Sequence, residues 1–492
     1  MKLVTGSSGN CLTEEQWRLI NYLNFKVTCV AEQEAVGIPL DFNKAVRHRD
    51  ELLALQGPKV LELQKVMPKV EVLTKKTKPK VTHKKDGTLS VAGTDWFALL
   101  KANKLPMNFN GVLEVITGYK DANPNSPPQV KSWLDSLGWK PTTFDYKKDK
   151  EGNERKIPQV RKNGELCSSV TRLIKKEPNV AVLEGLTIIQ HRMGVFQALI
   201  DNSYVKPDEN NFDVPQQAYV KSEVGGLTNT LRFKHKKPIA NMPKVGVAWG
   251  EEIRGCLIAT DGEVFCGTDL SSLESTTKRH YMFSHDPEYV EEMSKEGFDE
   301  HLDLAQFAGA VTQEDIDNYN KGDAPWVKEV RGPYKAANYS CIYGIGAAAL
   351  ARDLGKSRSE ASALIEAYWE RNHAVRLVVD EQVVKKIKGD MWLYNPVSGF
   401  WYSLRYEKDI FSTLNQGTGV YVFDKWLALS KQKGLTVAMQ YHDEFLVVVQ
   451  EGKQQECGEL IDKSIDELNE MINLNVPISA ESAFGKNYAS VH

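Results

Sequence analysis

The sequence predicts an α+β protein in which an antiparallel sheet carries the chemistry and helices surround it, and three stretches predict it. GEVFCGTDLSSLESTTKRHYMF, residues 262–283, is an apolar, strand-like run that stops at Asp269 and turns into a helical pattern. VAMQYHDEFLVVV, residues 437–449, sets His442, Asp443 and Glu444 between two strand-like runs. Between them, RGPYKAANYSCIYG (331–344) repeats Arg331, Lys335, Tyr339 and Tyr343 every four residues. At about 100° per residue each step of four advances only about 40°, so these four fall on one slowly drifting helical face. Two strands ending in acids can lie side by side and hold hard cations on oxygen ligands. Carboxylates for metal, cations for phosphate and an aromatic ring for a base are together the parts of a nucleotidyl transferase.

Composition bounds this reading. A chain of 492 residues has room for two to four domains. Its 41% hydrophobic and 26% charged residues are ordinary for a globular protein. A net charge of −3 means that any nucleic-acid surface is a local basic patch, not a global excess. The seven cysteines (11, 29, 167, 256, 266, 341 and 457) form no C-x-x-C pair, which argues for reduced thiols and against a disulfide frame or zinc site. The N-terminus MKLVTGSSGN lacks a signal-type apolar core and no apolar run approaches about 18 residues, so a cytoplasmic protein without a membrane partner is expected.

On the three stretches the chain resembles the family A (DNA polymerase I-like) DNA polymerases, most closely their phage replicative branch. Asp269, Leu270, Ser271 and Glu274 match motif A; Arg331, Lys335, Tyr339, Tyr343 and Gly344 match motif B; His442, Asp443 and Glu444 match motif C. They occur in family order, with weaker similarity from about residue 12 to His492. The resemblance implies a right hand with an antiparallel-sheet palm and mostly helical thumb and fingers. Residues 1–202 would be the thumb, with a basic insertion at about 66–118. Residues 203–285 would be the first part of the palm, 286–425 the fingers and 426–492 the second part of the palm. For a phage protein the cytoplasm would be the host's.

In chain order, residues 12–66 have helical spacing. From Lys65 to Lys85 eight lysines face one acid, Glu71, and Pro68 and Pro79 interrupt the run, which reads as an exposed, flexible basic segment able to contact phosphates. A solvated loop explains it equally well. In some phage relatives an insertion here recruits a processivity partner; the sequence leaves open whether a processivity factor, or a separate exonuclease or helicase, joins this chain. ANPNSPPQVKSWLDSLGWKP (122–141) reads as a loop and short amphipathic helix. By resemblance its Asn123, Ser126 and Gln129 touch the DNA backbone, a contact that positions without reading sequence. TNTLRFKHKKPIANMPKV (228–245) is strongly basic and resembles the segment that follows primer and template, with Arg232 and Asn241 at the matching places. Here T-L-R replaces the usual T-G-R.

Nucleotide addition needs a deprotonated 3′-hydroxyl and charge stabilisation on the leaving oxygen. Two cations about 3.5–4 Å apart supply both. The resemblance implies two Mg²⁺ bridged by Asp269 and Asp443, with Leu270 giving its carbonyl and Glu444 supporting from behind. A lone Asp269 would read equally as a helix N-cap, but the pair would not. Glu274 matches the residue that blocks a ribose 2′-hydroxyl. His301, Arg331, Lys335 and Tyr339 match the site of the incoming dNTP, with a helix expected to start near residue 333 and leave Arg331 at its N-terminal edge. Tyr343, Gly344, Gln416 and His442 match contacts to the primer-template DNA. Read without the family, the tyrosines serve equally as core residues. The expectation is primer-dependent DNA synthesis, with no exonuclease domain ahead of the thumb and hence no intrinsic proofreading, whether by loss, truncation or a separate subunit. A single-subunit RNA polymerase and a non-catalytic primer-template-binding protein are the alternatives.

Overall fold

In the computed structural model, which describes residues 12–149, 153–162, 164–206 and 216–492, the chain forms two compact units. Residues 1–11, on which the reading of the N-terminus and of Cys11 rests, lie outside the described residues. One unit comprises residues 1–45 with 198–492, and the other residues 46–197. The helical stretch at the start of the chain is thus shared between the two.

The first unit is built on a four-stranded antiparallel sheet. Its strands are β1 (Glu263–Leu270), β2 (Thr436–Tyr441), β3 (Glu444–Gln450) and β4 (Ala480–Gly485), in the spatial order β2-β3-β1-β4. The two sequence stretches that end in acids therefore become neighbours: Glu263 pairs with Gln450 and, six residues on, Asp269 with Glu444. Central β1 is buried at Val264, Phe265 and Cys266 because it has strands on both sides. Helix α1 (Glu14–Val36) opens with a capping box in which Thr13 and Gln16 satisfy each other's backbone donors. Helices α2 (Leu273–Met282), α3 (Glu300–Phe307) and α4 (Val327–Cys341) follow β1. Helix α5 (Ile410–Gln432) is buried almost all round, and α6 (Gln454–Ile472) packs beside it.

One hydrophobic core joins the sheet to α5 and α6. Trp426 of α5 lies 4.4 Å, ring to ring, from Phe445 of β3, and its indole nitrogen donates to Ser464 Oγ of α6 at 2.9 Å. Burying an aromatic of this size while its polar atom keeps a partner contributes roughly 3 kcal/mol. A second tie crosses the same unit. The Lys26 ammonium of α1 lies 2.6 Å from Asp424 of α5, with both side chains 2% exposed, and the Tyr22 hydroxyl donates to the same carboxylate.

The region 286–425 is mostly helical and also contains strands Val384–Ile387, Asp390–Asn395 and Phe400–Leu404, which form a three-stranded antiparallel sheet. Turns at Lys388–Gly389 and around Gly399, each at positive φ, close its hairpins. In the second unit the lysine-rich stretch is not a loop throughout: Val70–Lys76 is a strand paired with Leu113–Lys120. The alternating β-branched and aliphatic residues of VEVLTKK, meeting LEVITGYK, outweigh the charge of the lysines, which stay exposed. That unit has its own core of Leu63, Trp133, Leu134, Val170 and Leu183.

Candidate active site

The local backbone explains how the acids are presented. His442 and Asp443 are the two-residue turn between β2 and β3, and His442 takes a left-handed φ of 64°. The Leu270 N–H donates to the Asp443 carbonyl at 3.0 Å, which ties the turn to the end of β1 beside Asp269. Asp269 does not cap the helix that follows; Ser272, at φ 49°, holds the N-cap position of α2 without a side-chain capping bond. The Asp269 carboxylate is thereby left for something else.

Crowding shapes the electrostatics. Loss of water, then Asp443, Glu444 and Glu481, raises the Asp269 carboxyl above its ordinary range. Asp443 is raised as well, by burial first and by Glu444, with Arg232 pulling the other way. Two carboxylates that are costly to ionise side by side make a donor set that a hard cation relieves. Among the described residues no group of three or more His, Cys, Asp or Glu is arranged for a metal. Two neighbouring carboxylates suit a hard cation that keeps other positions for water or phosphate. The Tyr488 hydroxyl donates to Glu444 at 2.6 Å, while His492 lies 3.2 Å from the same carboxylate.

Beside the acids, Arg232, Glu274, Gln416, His442 and Asp443 line one small cavity with Leu273, Gly419 and Val420. Four separate sequence stretches thus converge on it. Burial and then Arg232 push the His442 imidazole down to about 4, so it is neutral at physiological pH. The Asn241 N–H donates to the Tyr441 hydroxyl at 3.3 Å, next to His442. Gln416 donates to the Tyr343 hydroxyl at 3.0 Å, and Gly344 turns the chain at φ 69° after α4. Asn415 donates to the Glu274 carbonyl at 2.9 Å and so fixes the first turn of α2.

On α4 and α3 the expected cations and aromatics also gather. The His301 ring lies 5.4 Å from that of Tyr339, with the Lys335 ammonium 5.9 Å from the same tyrosine. Asn338 donates to His301 Nδ1 at 3.1 Å, leaving Nε2 to carry the proton. The helix start is corrected: α4 begins at Val327, with Pro333 inside it, so Arg331 lies more than a turn within the helix and not at its edge. Upstream residues Val327 to Val330 continue the helical pattern, and the proline removes only one backbone donor. Arg331 is moreover engaged, its Nε donating to Asp299 at 2.7 Å. Burial opposes ionisation of Asp299, but Arg331 and the N–H groups of Leu302 and His301 hold its carboxyl below the usual range.

Asn123, Ser126 and Gln129 belong to the second unit, where they form one local cluster. The Asn123 N–H donates to the Gln129 side chain at 2.7 Å, and Ser126 is the N-cap of helix Pro127–Ser136 without a side-chain capping bond. Sequence reasoning passed over Asp299, Glu481 and Tyr488. Asp299 was legible as an N-cap two residues before His301. Glu481 reaches the site through the pairing of β4 with β1, which places it opposite Asp269, and Tyr488 through the turn that follows β4.

An antiparallel sheet that carries two crowded acids beside a helix bearing Arg331, Lys335 and Tyr339 places the chain in the class of nucleotidyl-transferase folds. The model described as DNA polymerase family A matches residues 113–391, more than half of the chain, and the chain belongs to that family. His442 to Glu444 lie beyond this match, so their link to Asp269 rests on the strand pairing. Among its relatives, DNA polymerase I of Lactococcus lactis subsp. cremoris is 25% identical over 284 residues, covering 54% of this chain and 30% of that protein. The Aquifex aeolicus DNA polymerase I is 27% identical over 283 residues, covering 54% and 45%. Each match thus spans less than half of the relative. The POL domain of Pol1 from M. smegmatis, solved in complex with DNA primer-template and dNTP, shares the fold with a TM-score of 0.64 at 19% identity, covering 95% of this chain and 70% of that one.

Proposed function

We propose that the chain carries out template-directed, primer-dependent DNA synthesis by transferring a nucleotide from a dNTP to a 3′-hydroxyl. The observation that carries this reading is the junction of β1 with the β2–β3 turn, where the Leu270 N–H meets the Asp443 carbonyl and sets Asp269 beside Asp443. Asp269, Asp443 and the Leu270 carbonyl are the residues that would hold Mg²⁺, and two such ions would supply the charge that lowers the pKa of the attacking hydroxyl and stabilises the leaving oxygen. Arg331, Lys335 and His301 receive the triphosphate, and Arg331 exchanges Asp299 for phosphate when the nucleotide arrives. Tyr339 stacks on the incoming nucleotide and Glu274 excludes a ribose. Neutral His442, Gln416, Arg232 and Asn241 hold the primer terminus, Tyr343 and Gly344 line the template base, and Asn123, Ser126 and Gln129 grip the duplex backbone. In this reading the first unit supplies palm and fingers and the second most of the thumb.

The resemblance to phage replicative enzymes supports a finer proposal: replication in a host cytoplasm, without intrinsic 3′–5′ proofreading. No disulfide joins the six described cysteines. Among the described residues no helix is long and apolar enough to cross a membrane.

Extension of a labelled primer on a longer template with Mg²⁺ tests the proposal, comparing dNTPs with rNTPs and a paired with a mismatched 3′ end. Growth with dNTPs and an untrimmed mismatch is expected. Growth with rNTPs as efficient as with dNTPs would instead make the chain an RNA polymerase, and binding without growth a primer-template-binding protein.

A further inference from the structure

Glu444 is a third carboxylate at the site, and the proposed reaction gives it no direct part. It stands directly opposite Asp269 in the register of β1 and β3. Residues paired in this way share a face of the sheet, with Cβ atoms about 4.5–5.5 Å apart. A carboxylate at that distance from a cation held by Asp269 is close enough to become a ligand, yet Glu444 is directed elsewhere. Its Oε1 accepts from the Tyr488 hydroxyl at 2.6 Å, and His492 Nε2 lies 3.2 Å from the same oxygen.

The tyrosine is itself firmly held. It is 3% exposed, its ring lies edge-on to His492 at 4.3 Å, and the Arg254 guanidinium covers it at 4.8 Å. Arg254 is anchored in turn through Nε to the Pro243 carbonyl at 2.8 Å, and the Tyr488 N–H donates to the Leu257 carbonyl at 2.9 Å. The turn that carries it is seated on β1 beside the acids. A Cβ added to Gly267 would approach the Val491 carbonyl oxygen to 2.8 Å, so only glycine lets the turn lie so close.

We infer that Tyr488 is a positioning residue that holds the Glu444 carboxylate out of the inner shell of cations bound at Asp269 and Asp443. The inference rests on the polymerase reading and deepens it. Mg²⁺ keeps several waters and demands near-octahedral geometry, so a site with two carboxylates leaves positions for triphosphate oxygens and the primer hydroxyl. A third carboxylate would bind the ion more tightly and fill one of those positions.

The test is Tyr488→Phe, which removes the hydroxyl and keeps the ring. Mn²⁺ binding is followed by the loss of the free-ion EPR signal, on protein with a dideoxy-terminated primer-template and dNTP so that no turnover occurs. The dissociation constant of the weaker site is expected to fall at least about threefold, because Glu444 adds a charged ligand. In parallel, steady-state extension should lose about tenfold in kcat with the dNTP KM nearly unchanged. The double variant Tyr488→Phe/Glu444→Gln should return Mn²⁺ affinity to the wild-type value. A role confined to packing would leave metal affinity the same or weaken it, and either result in Tyr488→Phe overturns the inference. Wild-type protein is run alongside: its failure to extend the primer would sink the polymerase reading itself, whereas extension by wild type with unchanged Mn²⁺ binding in the variant would sink only the role of Tyr488.

Discussion

At Asp269 and Asp443 the chain keeps two acids whose protons the folded protein binds more tightly than the unfolded chain does. A carboxyl raised in this way contributes stability below the ordinary Asp value of about 3.9, and that contribution is lost as pH rises through the raised value. At neutral pH the ionised pair therefore destabilises the fold. Asp443→Asn should melt at a higher temperature than wild type at pH 7.5, and the gain should vanish near pH 3.5; a lower melting temperature at pH 7.5 would contradict the assignment. Mg²⁺ should stabilise wild type more than the variant, since only the former offers both carboxylates. Glu274 belongs to the same scale. Its carboxyl is raised by desolvation first and lowered by Arg232. Glu274→Ala should raise the efficiency of rNTP incorporation relative to dNTP by about tenfold or more, the effect of removing a built-in clash, and single-nucleotide kinetics would read it.

Among the elements, α1 and α5 are joined by a buried ion pair that also touches the basic segment 228–245, since the Lys26 ammonium lies 4.2 Å from the Phe233 ring beside Arg232. Removing one partner strands the other charge. Asp424→Ala should lower stability by about 3–5 kcal/mol, seen as a fall in the denaturant midpoint, whereas Lys26→Met/Asp424→Leu should recover most of it. None of this was legible in the sequence, because Lys26 and Asp424 lie far apart in the chain and only tertiary packing brings them together. The four-residue repeat of Arg331, Lys335 and Tyr339 was legible, being a property of one helix, but Tyr343, expected on the same face, lies just past the end of that helix at Cys341. Pro333 misled the placement of that helix's start, since a proline tolerated inside looks like a first residue. The strands of 384–404 were signalled by alternation and turn residues, as in GDMWLYNPVSGFWYS. Asp269 and Asp443 could be matched from their strand-like flanks, whereas Glu481 and Tyr488 depend on the register of β4.

For the molecule as a whole, a net charge of −3 means that any DNA-binding surface is a local patch. In the second unit Lys75, Lys76, Lys78 and Lys80 lie on or just after an exposed strand, with Lys75 only 3.8 Å from Glu114 in a pair open to water. An exposed pair of this kind is weak and leaves the lysine available to phosphate. Replacing these four lysines with glutamine should flatten the dependence of log K on log salt by about 0.9 for each phosphate that is no longer neutralised, as measured by fluorescence anisotropy; an unchanged slope would remove the strand from the DNA footprint. Polymerase chemistry at the joined ends of β1 and the β2–β3 turn is tested most directly by single-nucleotide incorporation with Asp443→Ala, primer-template affinity being measured on the same preparation. The rate should fall by at least about 1,000-fold, in line with the several kcal/mol that metal-centred charge stabilisation supplies, while the duplex still binds. Incorporation within tenfold of wild type would show that Asp443 does not hold the metal and that the chemistry lies elsewhere.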